Sequence, residues 1–331
     1  MHWPLAYVNQ ILHWAENGAL RPAQVARLQA LAPLQPARAA WLGMLERLGL
    51  WGGALLLALA VVFFFAWNWD DLHHFAKIAL AAAAVLGCVA AALPARVGGL
   101  VWQAALLGAA LCSGALLALI GQIYQTGADI WELFAAWALL MLPFVLLARA
   151  WPTWLLCLLV GNLGLGRFLL TVGLRRLGFD DEAASLALVM LFNGLWWLAA
   201  WRGGRWMLAQ PGPQIERVAA ALALAALAFG AVLGAWDGSF GLYVPLFLLV
   251  AGGAFWFYRH HRLDIVMLGV LGCCAVAVAG SLLARVLFEG KSDVVVGLLI
   301  MGAFVLTASG YLSVWLKDLY RTQNRLAQEG A

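Results

Sequence analysis

Charge is what this chain has least of. Only 11% of its 331 residues are Asp, Glu, Lys or Arg, against about 25% in an ordinary soluble domain. A soluble fold of this length needs a charged surface, and there is too little charge here to cover one. Lysine is especially scarce, with only Lys77, Lys291 and Lys317. The formal net charge is +4, with no basic cluster and no nucleic-acid-binding motif beside it, so nucleic acid is excluded as a partner class. Cysteine numbers five and no CxxC spacing occurs, which argues against both a disulfide framework and a zinc site. Cys88, Cys112, Cys157, Cys273 and Cys274 all lie in apolar stretches and read as small apolar fillers. No nucleotide loop, HExxH or GxSxG is present. The sequence therefore assigns no catalytic residue, no metal and no cofactor. The first 47 residues lack the basic start and short apolar run of a cleavable signal peptide, and the first spanning helix is expected to act as an uncleaved signal anchor.

What fills the chain instead is apolar surface. Hydrophobic residues make up 65% of it, more than one buried core absorbs, and they occur in uncharged runs of about 20 residues. The expected fold class is all-α, a polytopic transmembrane helix bundle of about ten spans. Candidate spans are 48–67, 76–93, 100–120, 131–148, 153–173, 184–201, 217–236, 240–258, 265–287 and 294–316. The breaks carry turn chemistry, as at Asn68-Trp69-Asp70-Asp71, Pro94, Trp151-Pro152, Pro211-Gly212-Pro213 and Asp237-Gly238.

The distribution of Arg and Lys sets the orientation. With the N-terminus inside, 14 of the 20 basic residues fall in inside segments and six outside. Each inside connection carries at least one arginine, and an even number of spans returns the C-terminus to the same side. Tryptophans mark the span ends: Trp67, Trp69, Trp131 and Trp236 at the outer boundary, Trp51, Trp102, Trp151, Trp154, Trp201, Trp256 and Trp315 near the inner one. Indole suits the headgroup level, where the ring is half apolar and its N–H stays wet, so these read as an anchoring belt.

Four parts follow from this threading. Residues 1–47 read as a cytoplasmic amphipathic helical segment, with Leu5, Val8, Leu12 and Ala15 on one stripe, a stop at Gly18, and Val25, Leu28 and Ala32 on a second. Residues 48–150 form a four-span bundle, residues 151–316 a six-span bundle, and residues 317–331 a cytoplasmic tail. No repeat of fixed period relates the two halves.

Polar residues that need a purpose gather at two places on the outer face. The first is Asn68-Trp69-Asp70-Asp71-Leu72-His73-His74 with Lys77 following. Two carboxylates and two imidazoles raise the question of a metal, but their spacing matches no ligand motif. Asp70 or Asp71 can cap the second span instead. The second is Gly121-Gln122-Ile123-Tyr124-Gln125-Thr126-Gly127, with Asp129 and Trp131 beyond it, closing the third span and opening the fourth. Asn68, Trp69, Asp70, Lys77, Gln122, Tyr124 and Trp131 are the candidate outer-face contact or shallow site. Within the spans the candidates are Asn162 and Arg167, in the Gly161-Asn162-Leu163-Gly164-Leu165-Gly166-Arg167 run, with Asn193 and Arg285. A charge at membrane depth is costly and marks a functional candidate by default, although Arg167 and Arg285 lie near enough to the outer end to snorkel. Glu289 can pair with Arg285 one turn on. Arg259, His260, His261 and Arg262 read as a basic interfacial anchor.

These pieces have an order. The N-terminal helical segment through Trp14 to Gln24, the run Phe64-Phe65-Ala66-Trp67-Asn68-Trp69-Asp70, Lys77, and Ala118-Leu119-Ile120-Gly121-Gln122-Ile123-Tyr124 with Gly127 resemble the bacterial membrane-protein family catalogued as domain of unknown function 2157. The likeness covers roughly residues 1–150. It implies a bacterial inner-membrane, multi-pass protein with no settled activity. It also implies neighbours: a second multi-span protein and a membrane-anchored protein bearing a GDYxxLxY motif. His73-His74 and Gln125 sit where similar proteins vary, which weighs against a metal site.

Three functions are compatible with this sequence. The leading one is a subunit or scaffold of a membrane complex, making contacts through outer-face loops. The alternative is a small-solute transporter with a mid-membrane polar site around Asn162, Arg167 and Asn193. The third, a membrane-embedded enzyme, needs Asp70, His73, His74 and Asp129 to converge.

Overall fold

Inside a bilayer the backbone has no water to bond to, so an apolar run closes its own hydrogen bonds as a helix. The computed structural model of the protein describes residues 38–67, 72–125, 127–174, 182–209, 212–289 and 294–329. The amphipathic pattern expected in residues 1–37 and the Asn68-Trp69-Asp70-Asp71 cluster lie outside the described residues. Among the described residues the regular structure is all helical, and ten helices are long and apolar enough to cross a membrane. They are α1 (Arg38–Trp67), α2 (His74–Ala92), α3 (Leu100–Tyr124), α4 (Ile130–Ala148), α5 (Trp151–Thr171), α6 (Glu182–Met207), α7 (Gln214–Gly234), α8 (Tyr243–Trp256, continued by a π-helical turn Phe257–His261), α9 (Ile265–Glu289) and α10 (Val294–Glu329). The chain is a multi-pass membrane protein.

The breaks between helices have local causes. Pro94 follows the end of α2, and Gly99 precedes α3 in an extended conformation. A Cβ on Gly99 would sit 2.8 Å from the carbonyl oxygen of Arg96, so only glycine fits that turn. Asp129 and Glu132 open α4 with a reciprocal capping box. Arg149 closes α4 in the left-handed region at φ 48°, and Trp151-Pro152 starts α5 at once, with proline in the first turn where its missing N–H costs nothing. Asp237 accepts from the Ser239 amide at 2.9 Å, and these bonds hold its carboxyl below the usual carboxylate range.

Several ends differ from the expected spans. The helix of α3 continues to Tyr124, so Gly121, Gln122 and Tyr124 are its last turn and the left-handed turn begins at Gln125, φ 43°. Apolar Leu119 and Ile123 keep the helical spacing through that turn, and nothing stops the helix before Gln125. α1 already runs at Arg38, and α10 continues to Glu329 as a polar extension of the spanning part.

The described chain divides into two units. The larger, residues 54–320, contains the bundle. Its core runs through α3 to α9. Ala110, Met141, Val145, Trp154, Cys157 and Val160 form one cluster, and Leu227, Ala231, Phe240, Tyr243, Phe247 and Val278 another. Small residues let the helices close up: the Trp137 ring lies over Gly114, and Gly164 takes the Phe134 side chain. Within this unit α1 reaches the bundle through Ala58 and Val61 against Cys88, Ala109 and Cys112, and α10 reaches α9 through Leu312 against Gly272 and Phe304 against Gly280. Most of the remaining apolar surface of both helices, including Leu56, Phe63, Leu299 and Leu306, is exposed, as lipid-facing surface is. In the smaller unit, which holds residues 38–53 and 321–329 of the described chain, Trp41, Leu42, Leu45 and Leu48 are exposed.

Candidate functional site

With ten consecutive spans, the helix ends alternate between two faces of the membrane. One face carries the end of α3, the start of α4, the end of α5 and the end of α9, and is called here the Tyr124 face. The other carries the α2–α3, α4–α5, α6–α7 and α8–α9 connections and is called the Arg149 face.

On the Tyr124 face, Asn68, Trp69 and Asp70 lie outside the described residues. Lys77, in the first turn of α2, is buried with 6% of its surface exposed. His73 and His74 stack on one another with ring centroids 3.9 Å apart, and His74 packs on Phe75 at 4.3 Å. Among the described residues no three His, Cys, Asp or Glu side chains group as ligands for a metal. Gln122 and Tyr124 project from the last turn of α3 into the open, Tyr124 at 56% exposure, and neither side chain makes a hydrogen bond among the described residues. Trp131 is half-buried and sets its ring edge-on to Phe168, centroids 5.1 Å apart. Among the described residues Gln122 and Tyr124 are thus open surface, whereas Trp131 belongs to the α4–α5 packing.

The intramembrane candidates separate into three kinds. Asn162 on α5 and Asn193 on α6 bind each other. The Asn162 amide donates to Asn193 Oδ1 at 3.0 Å, and the Asn193 amide donates to Asn162 Oδ1 at 2.7 Å. Each spends its second N–H on the carbonyl one turn back, Leu158 and Val189, both at 2.9 Å. All four amide protons are used, and Asn193 is 0% exposed. Such a pair ties two helices together and offers a solute no donor. Arg285 pairs with Glu289 at 2.9 Å, as the spacing predicts. Arg167 is the exception: its Nε is enclosed, and no acceptor meets it among the described residues.

The Arg149 face holds a polar network of which only Arg262 stands out in the sequence, as part of a basic interfacial anchor. Asp264, buried at the start of α9, accepts from the Arg217 guanidinium at 2.8 Å with Oδ2. Its Oδ1 accepts from the amides of Val266 and Met267 at 3.1 and 3.2 Å, capping the helix. Arg262 donates to Glu216 beside it. These contacts tie the start of α7 to the π-helical turn and α9. The signal was available: Asp264 directly precedes the apolar run Ile265-Val266-Met267-Leu268, the position of an N-cap. A second latch crosses the same face. Trp154 Nε1 donates to the Met207 carbonyl at 2.7 Å, the Ala209 amide donates to the Arg149 carbonyl at 2.8 Å, and Trp102 Nε1 donates to Leu147 at 3.1 Å. Trp154 is therefore a buried latch and not part of an anchoring belt, because its N–H meets a free carbonyl at the end of α6 in place of water.

An opening of about 530 Å³ lies between α9 and α10, lined by Cys273, Gly280, Ser281, Met301, Ser309 and Leu312 among others. No carboxylate, imidazole or basic group lines it. Ser281 already accepts from Trp236 Nε1 at 2.9 Å and donates to the Val232 carbonyl at 3.1 Å. The opening can take an apolar chain and offers no acid–base chemistry.

Residues 12–154 match a family described as "Predicted membrane protein (DUF2157)", which bears out the resemblance drawn from the motifs of the N-terminal part. No curated protein and no solved structure matches the chain.

Proposed function

We propose that this protein is a subunit or scaffold of a bacterial inner-membrane assembly, with both termini in the cytoplasm, and that it meets its partners through the Tyr124 face. The observation that carries the reading is the contrast between Asn162–Asn193 and Gln122–Tyr124. The bundle consumes its mid-membrane amides internally, while the amide and the phenol at the end of α3 stay exposed and, among the described residues, unbonded. Polar groups held at the headgroup level on a rigid helix end favour a partner that brings its own donors and acceptors. Partners in keeping with the family resemblance are a second multi-span protein and a membrane-anchored protein of the GDYxxLxY type. The transporter alternative loses two of its polar groups to the asparagine pair. The enzyme alternative finds no grouping of three His, Cys, Asp or Glu side chains among the described residues to support it.

The test is photo-crosslinking in intact membranes, with a photoreactive residue placed at 122, at 124, or at the lipid-facing position 170. One and the same membrane protein captured from 122 and 124, and absent from 170, is the expected result. Capture of lipid alone from all three positions overturns the reading.

A further inference from the structure

Arg167 sits in an unusual row. Leu163, Arg167 and Leu170 fall on one stripe of α5, four and three residues apart, and both leucines are strongly exposed, Leu170 at 79%. The adjoining stripe is the packed one, where Gly164 takes Phe134 and Phe168 takes the edge of Trp131. The guanidinium therefore stands where the α4–α5 seam opens onto lipid. It is about 6 Å below the end of α5 at Thr171, four residues at about 1.5 Å each. An arginine spans that depth and brings its terminal nitrogens to the headgroup level.

At that place two donors are unmet. Arg167 Nε and Trp131 Nε1 are both shut off from solvent, and neither takes a hydrogen bond among the described residues. Among the described residues, the carboxylates of Asp129 and Glu132 close the capping box of α4, and Glu289 pairs with Arg285. A guanidinium at membrane depth that meets no counter-charge among the described residues calls for an anion from the surroundings, and its fork matches the oxygens of a phosphate.

We propose that the ends of α4 and α5 on the Tyr124 face bind the phosphate of a phospholipid headgroup, with Arg167 as the cation, Trp131 as the neutral donor, and the Leu163–Leu170 stripe under the acyl chain. The lipid and not a soluble anion is the occupant, because the cation lies in a lipid-facing row and not in a cavity. The site stands independently of the assembly reading above, which concerns Gln122 and Tyr124.

The protein, purified in a neutral detergent and stripped of lipid, is titrated with phosphatidylglycerol, and bound lipid is counted by native mass spectrometry. Arg167→Gln is expected to weaken the tightest lipid about fivefold, the weight of one arginine at a membrane surface. Trp131→Phe keeps the ring contact with Phe168, removes only the N–H, and weakens binding in the same direction. Arg285→Gln, whose guanidinium is paired in the native protein, leaves this lipid unaffected. Arg167→Lys keeps the charge but loses the fork, and is expected to weaken binding less than Arg167→Gln. Should the glutamine variant not fold, the lysine variant and Trp131→Phe carry the comparison. Equal affinity in the wild type, Arg167→Gln and Trp131→Phe overturns the site. Displacement of the lipid by inorganic phosphate from the wild type, but not from Arg167→Gln, overturns the lipid as occupant and gives the site to a soluble anion.

Discussion

Asn162 and Asn193 face each other across α5 and α6 as a closed ring of two amides, each serving as donor and acceptor to the other at 3.0 and 2.7 Å. Their geometry converts two residues that are expensive inside a membrane into a fastener. Replacing one partner leaves an amide buried with half its bonds, a loss of about 1–3 kcal/mol for a buried unmet group. Asn193→Leu and Asn162→Leu are each expected to lower thermal stability in detergent. The double variant is expected to lose less than the sum of the two, with a coupling of about 0.6–1.7 kcal/mol, the range measured for such pairs in a membrane bundle. Additive losses in the melting curves would show that the two amides act separately.

A second expectation concerns the α3–α4 seam. The Trp137 ring covers Gly114 and donates from Nε1 to the Ala110 carbonyl at 2.8 Å. A Cβ at position 114 lands on the indole carbons, so Gly114→Val must push Trp137 out of its place and break that bond. The expected loss is about 1–3 kcal/mol, the usual range for overpacking. Gly166→Ala on α5 has open space around it and is expected to be neutral or slightly stabilising. Comparing the two variants by thermal unfolding and tryptophan emission separates packing from helix propensity. Equal stability of Gly114→Val and the wild type would contradict the observed contact.

The class is readable from composition and the number of spans from the apolar runs and the turn residues between them, because a bilayer leaves an apolar chain of this length few alternatives. Span ends were less readable. The third span was expected to close at 120, yet Gln122 and Tyr124 extend it, since amide and phenol side chains do not by themselves stop a helix. The site residues divide along the same line. Arg285–Glu289 follows from spacing on one helix. Asn162–Asn193 and Arg217–Asp264 do not, because each depends on which faces of two different helices meet, and one sequence holds no record of that. The same reason hid the role of Trp154: its position near a span end suggested a headgroup anchor, and only the neighbouring end of α6 turns it into a latch.

Asp264 provides the next test, since it does two jobs with two oxygens. Oδ1 caps α9 and Oδ2 holds Arg217. Asp264→Ala removes both and is expected to cost about 2–3 kcal/mol, about 1 from the lost cap and the rest from the lost charge-assisted bond. Arg217→Ala removes only the second and should cost less, because the guanidinium is partly exposed and water screens the pair. Denaturation in detergent with both variants gives the ranking. An Arg217→Ala variant less stable than Asp264→Ala would mean that the ion pair, and not the cap, organises the start of α9.

Orientation is open to a direct chemical test. The ten spans fix only that Ala128, between α3 and α4, and Val97, between α2 and α3, lie on opposite sides. Their absolute assignment rests on the arginines, of which the Arg149 face carries the majority, since chain segments rich in Arg and Lys stay on the cytoplasmic side. Both positions are exposed, and the five native cysteines sit in spanning helices where an aqueous reagent has little access. In intact spheroplasts a membrane-impermeant maleimide is expected to label Ala128→Cys and to leave Val97→Cys untouched until the cells are permeabilised. The reverse pattern would invert the chain in the membrane. It would move Gln122, Tyr124 and Arg167 to the cytoplasmic side, where the lipid composition and any partner meeting the α3 end would be those of the inner leaflet.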